Sequence, residues 1–234
     1  MNFFKSSKKT ANNNNDQIVD PAQIRQALFE HISESDFNKK DIERLKKEDY
    51  ALSRYFKEDT QTTIDTIKEV LEWRNNYNLS DLKKEDFPKE YQEAGTLVVH
   101  GKDVEGNVMI YLRVCLFKKG ELPIEEVKKY LAFVMDQTDR ETRGDGWAFV
   151  FDCTDAGLSN VDMELLRFVS QALTTYYSEN CRYALIYDMP WILSPVWKIV
   201  KSWVSQEERD AIKFATKKEM SNFVAKDQLP DFLQ

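Results

Sequence analysis

Residues 146–188 read G-W-A-F-V-F-D-C-T-D-A-G-L-S-N-V-D-M-E-L-L-R-F-V-S-Q-A-L-T-T-Y-Y-S-E-N-C-R-Y-A-L-I-Y-D. Two nearly all-apolar runs, 146–152 and 183–188, bracket a helical pattern in which Leu165, Leu166, Val169, Ala172, Leu173 and Tyr176 recur at three- and four-residue spacing. A strand that is apolar throughout has both faces covered, the mark of a parallel sheet interior. Strand, helix and strand in this order predict a crossover unit, so the chain is read as α/β.

The same alternation extends in both directions. Upstream, residues 96–100 are β-branched, Gly101 to Asn107 (G-K-D-V-E-G-N) form a turn, and residues 108–117 (V-M-I-Y-L-R-V-C-L-F) form a strand. Residues 123–143 predict a long helix with Val127, Tyr130, Leu131, Val134 and Met135 on one face. Downstream come a helix over 195–204, a turn, a short strand near 212–215 and a last helix over 217–226. Before all of this, Asp20-Pro21 is a helix start, and three apolar-periodic stretches follow, carrying Ile24, Leu28 and Ile32, then Ile42, Leu45 and Leu52, then Ile64, Ile67, Val70 and Leu71. The expected organisation is a disordered Asn-rich leader (1–19), a small three-helix unit (20–77) and an α/β domain (90–234). That domain is a mostly parallel mixed sheet with helices packed on it.

Composition narrows the function. Seven glycines among 234 residues argue against a glycine-rich phosphate-binding fold, and a net charge of −7 without a basic tract longer than two residues excludes whole-body attraction to nucleic acid. Cys115, Cys153 and Cys181 form no C-x-x-C pair and sit in or beside apolar runs, which reads as reduced thiols in a cytoplasmic protein. The first sixteen residues lack the apolar core of a secretory signal, and no window is apolar enough to span a bilayer. His31 and His100 have no nucleophile or metal-binding partner in sequence, and no G-x-S-x-G, H-E-x-x-H or P-loop occurs. An enzyme is therefore not expected, nor a metal or cofactor. Asp152 and Asp155 follow a strand end, where capping of the next helix is the expected role.

The run from Asp188 to Val204 (D-M-P-W-I-L-S-P-V-W-K-I-V-K-S-W-V) is the most distinctive. With Ser194 as cap and Pro195 as the first helical residue, Val196, Ile199, Val200, Trp203, Trp197 and Val204 share one apolar arc, and Lys198 and Lys201 lie outside it. Tryptophan and lysine together favour the interface of a bilayer.

In this order, the chain resembles the CRAL-TRIO lipid-binding family over about 96–233. The matches are the G-K-D-x-E-G turn with Tyr111-Leu112-Arg113-Val114, the strand Ala148-Phe149-Val150-Phe151-Asp152 with Gly157-Leu158-Ser159, the pair Tyr176-Tyr177, Ile186-Tyr187-Asp188-Met189-Pro190-Trp191, Lys198-Ile199-Val200-Lys201, and Leu229-Pro230. Residues 41–77, ending Glu72-Trp73-Arg74, resemble the helical module preceding that domain. Within the family the chain is most similar to the CRAL-TRIO portion of motile sperm domain-containing proteins. Their major-sperm-protein domain and membrane anchor are not expected here, because the sequence ends at Gln234.

The resemblance implies an apolar cavity for a phospholipid or similar lipid, closed by a gate helix after D-M-P-W. The lining it suggests is Leu112, Val114, Phe149, Phe151, Phe168, Ile186, Val196, Ile199, Val200 and Trp203, with Trp197, Lys198 and Val204 facing the membrane. Lys201 falls where phosphatidylinositol-binding members place a headgroup lysine. Phe168 occupies the position of its usual glutamate partner, so half of that headgroup site is missing. The function expected is to bind a lipid and carry or present it at membranes, in the cytoplasm and with transient, reversible peripheral contact. The alternative is a non-transporting protein-interaction module on the same fold. A gate is a physical requirement of the first reading. At about 0.8 kcal/mol per methylene, two chains of about 16 carbons left in water cost on the order of 25 kcal/mol.

Overall fold

The computed structural model describes residues 20–57 and 59–234, in two compact units divided between Leu82 and Lys83. The leader expected over 1–19 lies outside the described residues. In the first unit, α1 (Pro21–His31) starts on Asp20, whose carboxylate accepts the Ala22 N–H. Asn38 caps α2 (Lys39–Lys47) in the same way, α3 spans Asp49–Ser53, and Asp59 caps α4 (Thr60–Tyr77). Ile24, Leu28, Leu52, Ile64 and Ile67 make its core. Arg74 Nε donates to Asp41 at 2.8 Å, and Ser80 Oγ donates to the other Asp41 oxygen at 2.6 Å, all three residues buried. Removing one partner of such a buried pair costs about 3–5 kcal/mol. Ser80 and the buried Leu79 therefore tie residues 78–82 to this unit, beyond the end at 77 that the apolar periodicity suggests.

The second unit opens with α5 (Lys89–Glu93) and carries a five-stranded sheet in the order β1 (Leu97–Lys102), β2 (Val108–Arg113), β3 (Trp147–Asp152), β4 (Cys181–Tyr187) and β5 (Ile212–Ala215). β1 is antiparallel to β2, and the other neighbours are parallel. The crossovers are α6 (Ile124–Thr142), α7 (Met163–Gln171, running on as a wider turn through Tyr176), and the pair α8 (Ser194–Val200) and α9 (Gln206–Asp210). Parallel crossovers are right-handed, so strands laid down in sequential order put all of these helices on one face. The other face is covered by the C-terminal segment. Met220, Val224 and Leu229 pack there on Met109, Tyr111, Val150, Tyr183, Leu185 and Tyr187.

Three elements depart from the sequence reading. β2 stops at Arg113, and Val114–Leu116 tighten into a 3-10 turn. The helix expected over 217–226 is instead two short 3-10 turns, because the Phe223 carbonyl accepts the Val104 N–H of the β1–β2 turn at 2.8 Å rather than continuing a helix. The helix expected over 195–204 ends at Val200. The next N–H groups reach back three residues, Ser202 to Ile199 and Trp203 to Val200, which winds the chain more tightly.

Candidate apolar site under helix α8

Parallel register places Ile110, Phe149, Ala184 and Ile212 in one row and Leu112, Phe151, Ile186 and Phe214 in the next, all on the helix-covered face. On β4 the burial alternates. Tyr183, Leu185 and Tyr187 on the opposite face are buried, whereas Ala184 and Ile186 are only partly covered. Above them is a hollow of about 120 Å³. Its floor is Phe151, Ala184, Ile186 and Ile212, and one wall is Leu166, Ser170, Leu173 and Thr174 of α7 and the turn after it. Its roof is Leu193, Val196, Trp197, Val200 and Val204. Val114, Cys153, Val161, Cys181, Met189, Glu208 and Ala211 complete it.

The polar groups at the lining are few. Burial pushes the thiols of Cys153 and Cys181 up to about 12, so both are neutral and behave as small apolar groups. Glu208 is turned to structure: its carboxylate accepts the Ser205 N–H at 2.6 Å, and Ser205 Oγ accepts the Glu208 N–H in return. Such a lining can shelter hydrocarbon.

The roof is thinly fastened. α8 has seven residues, none of them buried, and no side chain caps its N-terminus. Ser194 is itself helical, so it does not serve as the cap expected of it; the cap position is Leu193. The Trp197 ring rests edge-on against Phe214 of β5, centroids 5.1 Å apart. Outside this roof, Trp191 is 84% exposed, and Ile192, Ile199 and Phe214 are also exposed. Among the described residues no helix is long and apolar enough to cross a membrane.

Of the residues the sequence picked out, Val114, Phe151, Ile186, Val196 and Val200 line the hollow. Trp197 and Val204, expected to face outward, line it too, and Val204 is buried. The reason is angular: Leu193, Val196, Trp197 and Val200 form the inward stripe, about 100° round the helix from Ile199. Ile199 accordingly points out, 47% exposed, and is not a lining residue. Trp203 lies past the helix end, half-buried, with the Arg167 guanidinium 5.3 Å over its ring. Phe168 sits on the side of α7 opposite Leu166 and Ser170 and does not reach the hollow. Phe149 is fully buried beneath, packed on the Phe151 ring at 4.9 Å. Leu112 belongs to a separate hollow of about 240 Å³ with Leu97, Tyr130, Leu131 and Leu165. Lys198 and Lys201 are exposed, and Lys201 is not among the lining residues.

The α7 wall was missed in the sequence, although Leu166, Ser170 and Leu173 recur at i, i+4 and i+7. The stripe Leu165, Val169, Ala172 and Tyr176 is more apolar and masks it. Trp191 carried no pattern that distinguished it from a core residue.

A family model described as CRAL/TRIO domain matches residues 92–234. A Schizosaccharomyces pombe protein, CRAL-TRIO domain-containing protein C3H8.02, is 24% identical over 165 residues, 66% of this chain and 37% of that protein. Phosphatidylinositol transfer protein CSR1 of Eremothecium gossypii is 25% identical over 141 residues, 59% of this chain and 32% of that protein. The chain thus spans about a third of the length of these curated relatives. Among solved structures, the crystal structure of Sfh5 shares the fold, with a TM-score of 0.63 over 88% of this chain and 85% of that one at 16% identity.

Proposed function

Because the chain belongs to the CRAL/TRIO domain family, we propose that the hollow under α8 is the seat of a lipid, which the protein carries or presents at membranes. The observation that carries this reading is an apolar hollow roofed by a helix with no buried residue. At about 120 Å³ it is smaller than the roughly 300–1,000 Å³ of ordinary ligand pockets. It is therefore read as the closed form, and α8 moves aside for the acyl chains to enter. The exposed Trp191, Ile192 and Ile199, with Lys198 and Lys201 beside them, are the edge proposed to sit in the membrane interface while that happens.

On this reading the protein is a carrier, not a catalyst. It works in the cytoplasm and touches membranes peripherally and reversibly. Within the family we place it nearest the CRAL-TRIO portion of the motile sperm domain-containing proteins, on the G-K-D-V-E-G-N turn and the D-M-P-W and K-I-V-K-S-W runs. One relative is named a phosphatidylinositol transfer protein. With Phe168 at the glutamate position, we do not extend that headgroup preference to this chain. The small closed volume lends some support to the competing reading, a protein-docking module without cargo.

Fluorescent-lipid exchange between vesicles separates the two. Trp191→Glu with Ile199→Glu changes two exposed residues, so the melting temperature stays near that of the parent while the transfer rate falls at least tenfold. Transfer at the parent rate by this double variant would remove the proposed membrane edge. No transfer by the parent chain would favour the docking module.

A further inference from the structure

Arg113, Asp152 and Tyr187 alternate along their strands with the residues that floor the lipid hollow, so they point to the opposite face of the sheet. There, at the C-terminal ends of β2, β3 and β4, is a depression of about 280 Å³ walled by Arg113, Asp152, Thr154, Asp155 and Lys217. Open α/β sheets place polar ligands outside the carboxyl ends of their strands. Arg113 and Asp152 are register partners on adjacent strands, yet they make no ion pair with each other. Arg113 Nε and Thr154 Oγ1 are both buried without a hydrogen-bond partner. A buried donor left unpaired costs about 1–3 kcal/mol, and two at one site call for an acceptor. Asp152 is 3% exposed, and its Oδ1 accepts only the Thr154 N–H, at 3.1 Å, which leaves Oδ2 open. Asp155, at the rim, is held in the left-handed region at φ 57°, a conformation that costs about 1–3 kcal/mol and collects at binding sites. The Phe232 ring lies 4.3 Å from the Arg113 guanidinium and holds it in place.

Arg113 and Asp152 leave one charge of each sign without an ion-pair partner in the depression, with Asp155 at its rim. Lys217 also leans on Asp188 at 3.4 Å. We propose that this depression binds a small neutral zwitterion. Its acidic group is held by Arg113, Thr154 and Lys217, and its ammonium by Asp152 with Asp155 at the rim. The same chemistry is offered by a free amino acid and by the glycerophosphoethanolamine headgroup of a phospholipid. A lipid held here by its headgroup would have its chains outside the α8 hollow, on the far side of the sheet.

Titration of the full chain with L-serine and with glycerophosphoethanolamine, followed by ligand-observed NMR, tests this, with acetate and ethanolamine as single-charge controls. The expected result is saturable binding of one zwitterion and not of the controls, and the zwitterion that binds identifies the source. Thr154→Val keeps the side-chain shape and removes an unpaired hydroxyl, so the melting temperature is unchanged or raised while affinity falls about tenfold. Arg113→Met replaces the guanidinium over Phe232 with an unbranched apolar side chain and abolishes binding. Absence of saturable binding of both zwitterions overturns the proposal, as does binding unchanged by Thr154→Val; should Arg113→Met fail to fold, the valine variant decides alone.

Discussion

Gly101 sits in the turn whose residues carry much of the family likeness, and the structure gives the turn a mechanical reason. Its φ is 62°, and a Cβ there would lie 2.1 Å from the Gln228 carbonyl oxygen. Two residues on, Asp103 accepts the N–H groups of Glu105 and Asn107, the Asn107 side-chain amide and the Tyr183 hydroxyl, the last at 2.8 Å. One buried carboxylate thus closes the turn and fastens it to β4. Gly101→Ala combines left-handed strain of about 1–3 kcal/mol with a clash against backbone that cannot rotate away. Its melting temperature should fall by several degrees, measurable by calorimetry, and an unchanged value would mean that the 228 segment yields freely. The need for a turn was legible in Gly, Asp, Gly and Asn. The need for glycine at 101 was not, because the obstructing atom comes from a residue 127 positions away. Phe168 taught the same lesson: its type suited a lipid lining, but its place on α7 turned it from the hollow.

At the scale of elements, α8 was legible as an amphipathic helix and misjudged in phase and length. An apolar arc drawn at 100° per residue included Ile199 and Trp203 along with Val196 and Val200, since all are apolar. Sequence cannot tell which part of a wide stripe meets the sheet. The tightening after Val200, set by backbone bonds to Ile199 and Val200, then carried Trp203 off the stripe altogether. α8 has no buried residue of its own, so it is the part of the roof expected to open before the sheet does. Cys153 and Cys181 report that opening, since both line the hollow and are buried. With their pKa raised by burial to about 12, only about one thiol in ten thousand is ionised at pH 8. Alkylation by N-ethylmaleimide, followed residue by residue by mass spectrometry, should be slow at both in buffer and at least tenfold faster on anionic vesicles. Equal rates with and without vesicles would mean that α8 stays shut on a membrane.

For the molecule as a whole, the α/β class and the mostly parallel sheet followed from the alternation of strand and helix patterns. The sequential strand order 1-2-3-4-5 has the larger consequence. It sends every crossover helix to one face and leaves the other to an irregular C-terminal segment, whose short turns made it unreadable beforehand. The hollow is a product of that asymmetry, set where α7, α8 and β4 diverge, and no residue pattern announces an empty space. On the proposed function, its working state is the occupied one. Native mass spectrometry of the chain after incubation with phosphatidylcholine vesicles counts the occupant directly, with Ala184→Trp as the variant that fills the floor. One lipid per parent chain and none on Ala184→Trp is the result expected; a lipid-free parent, or equal occupancy of the two, would contradict a lipid seat beneath α8.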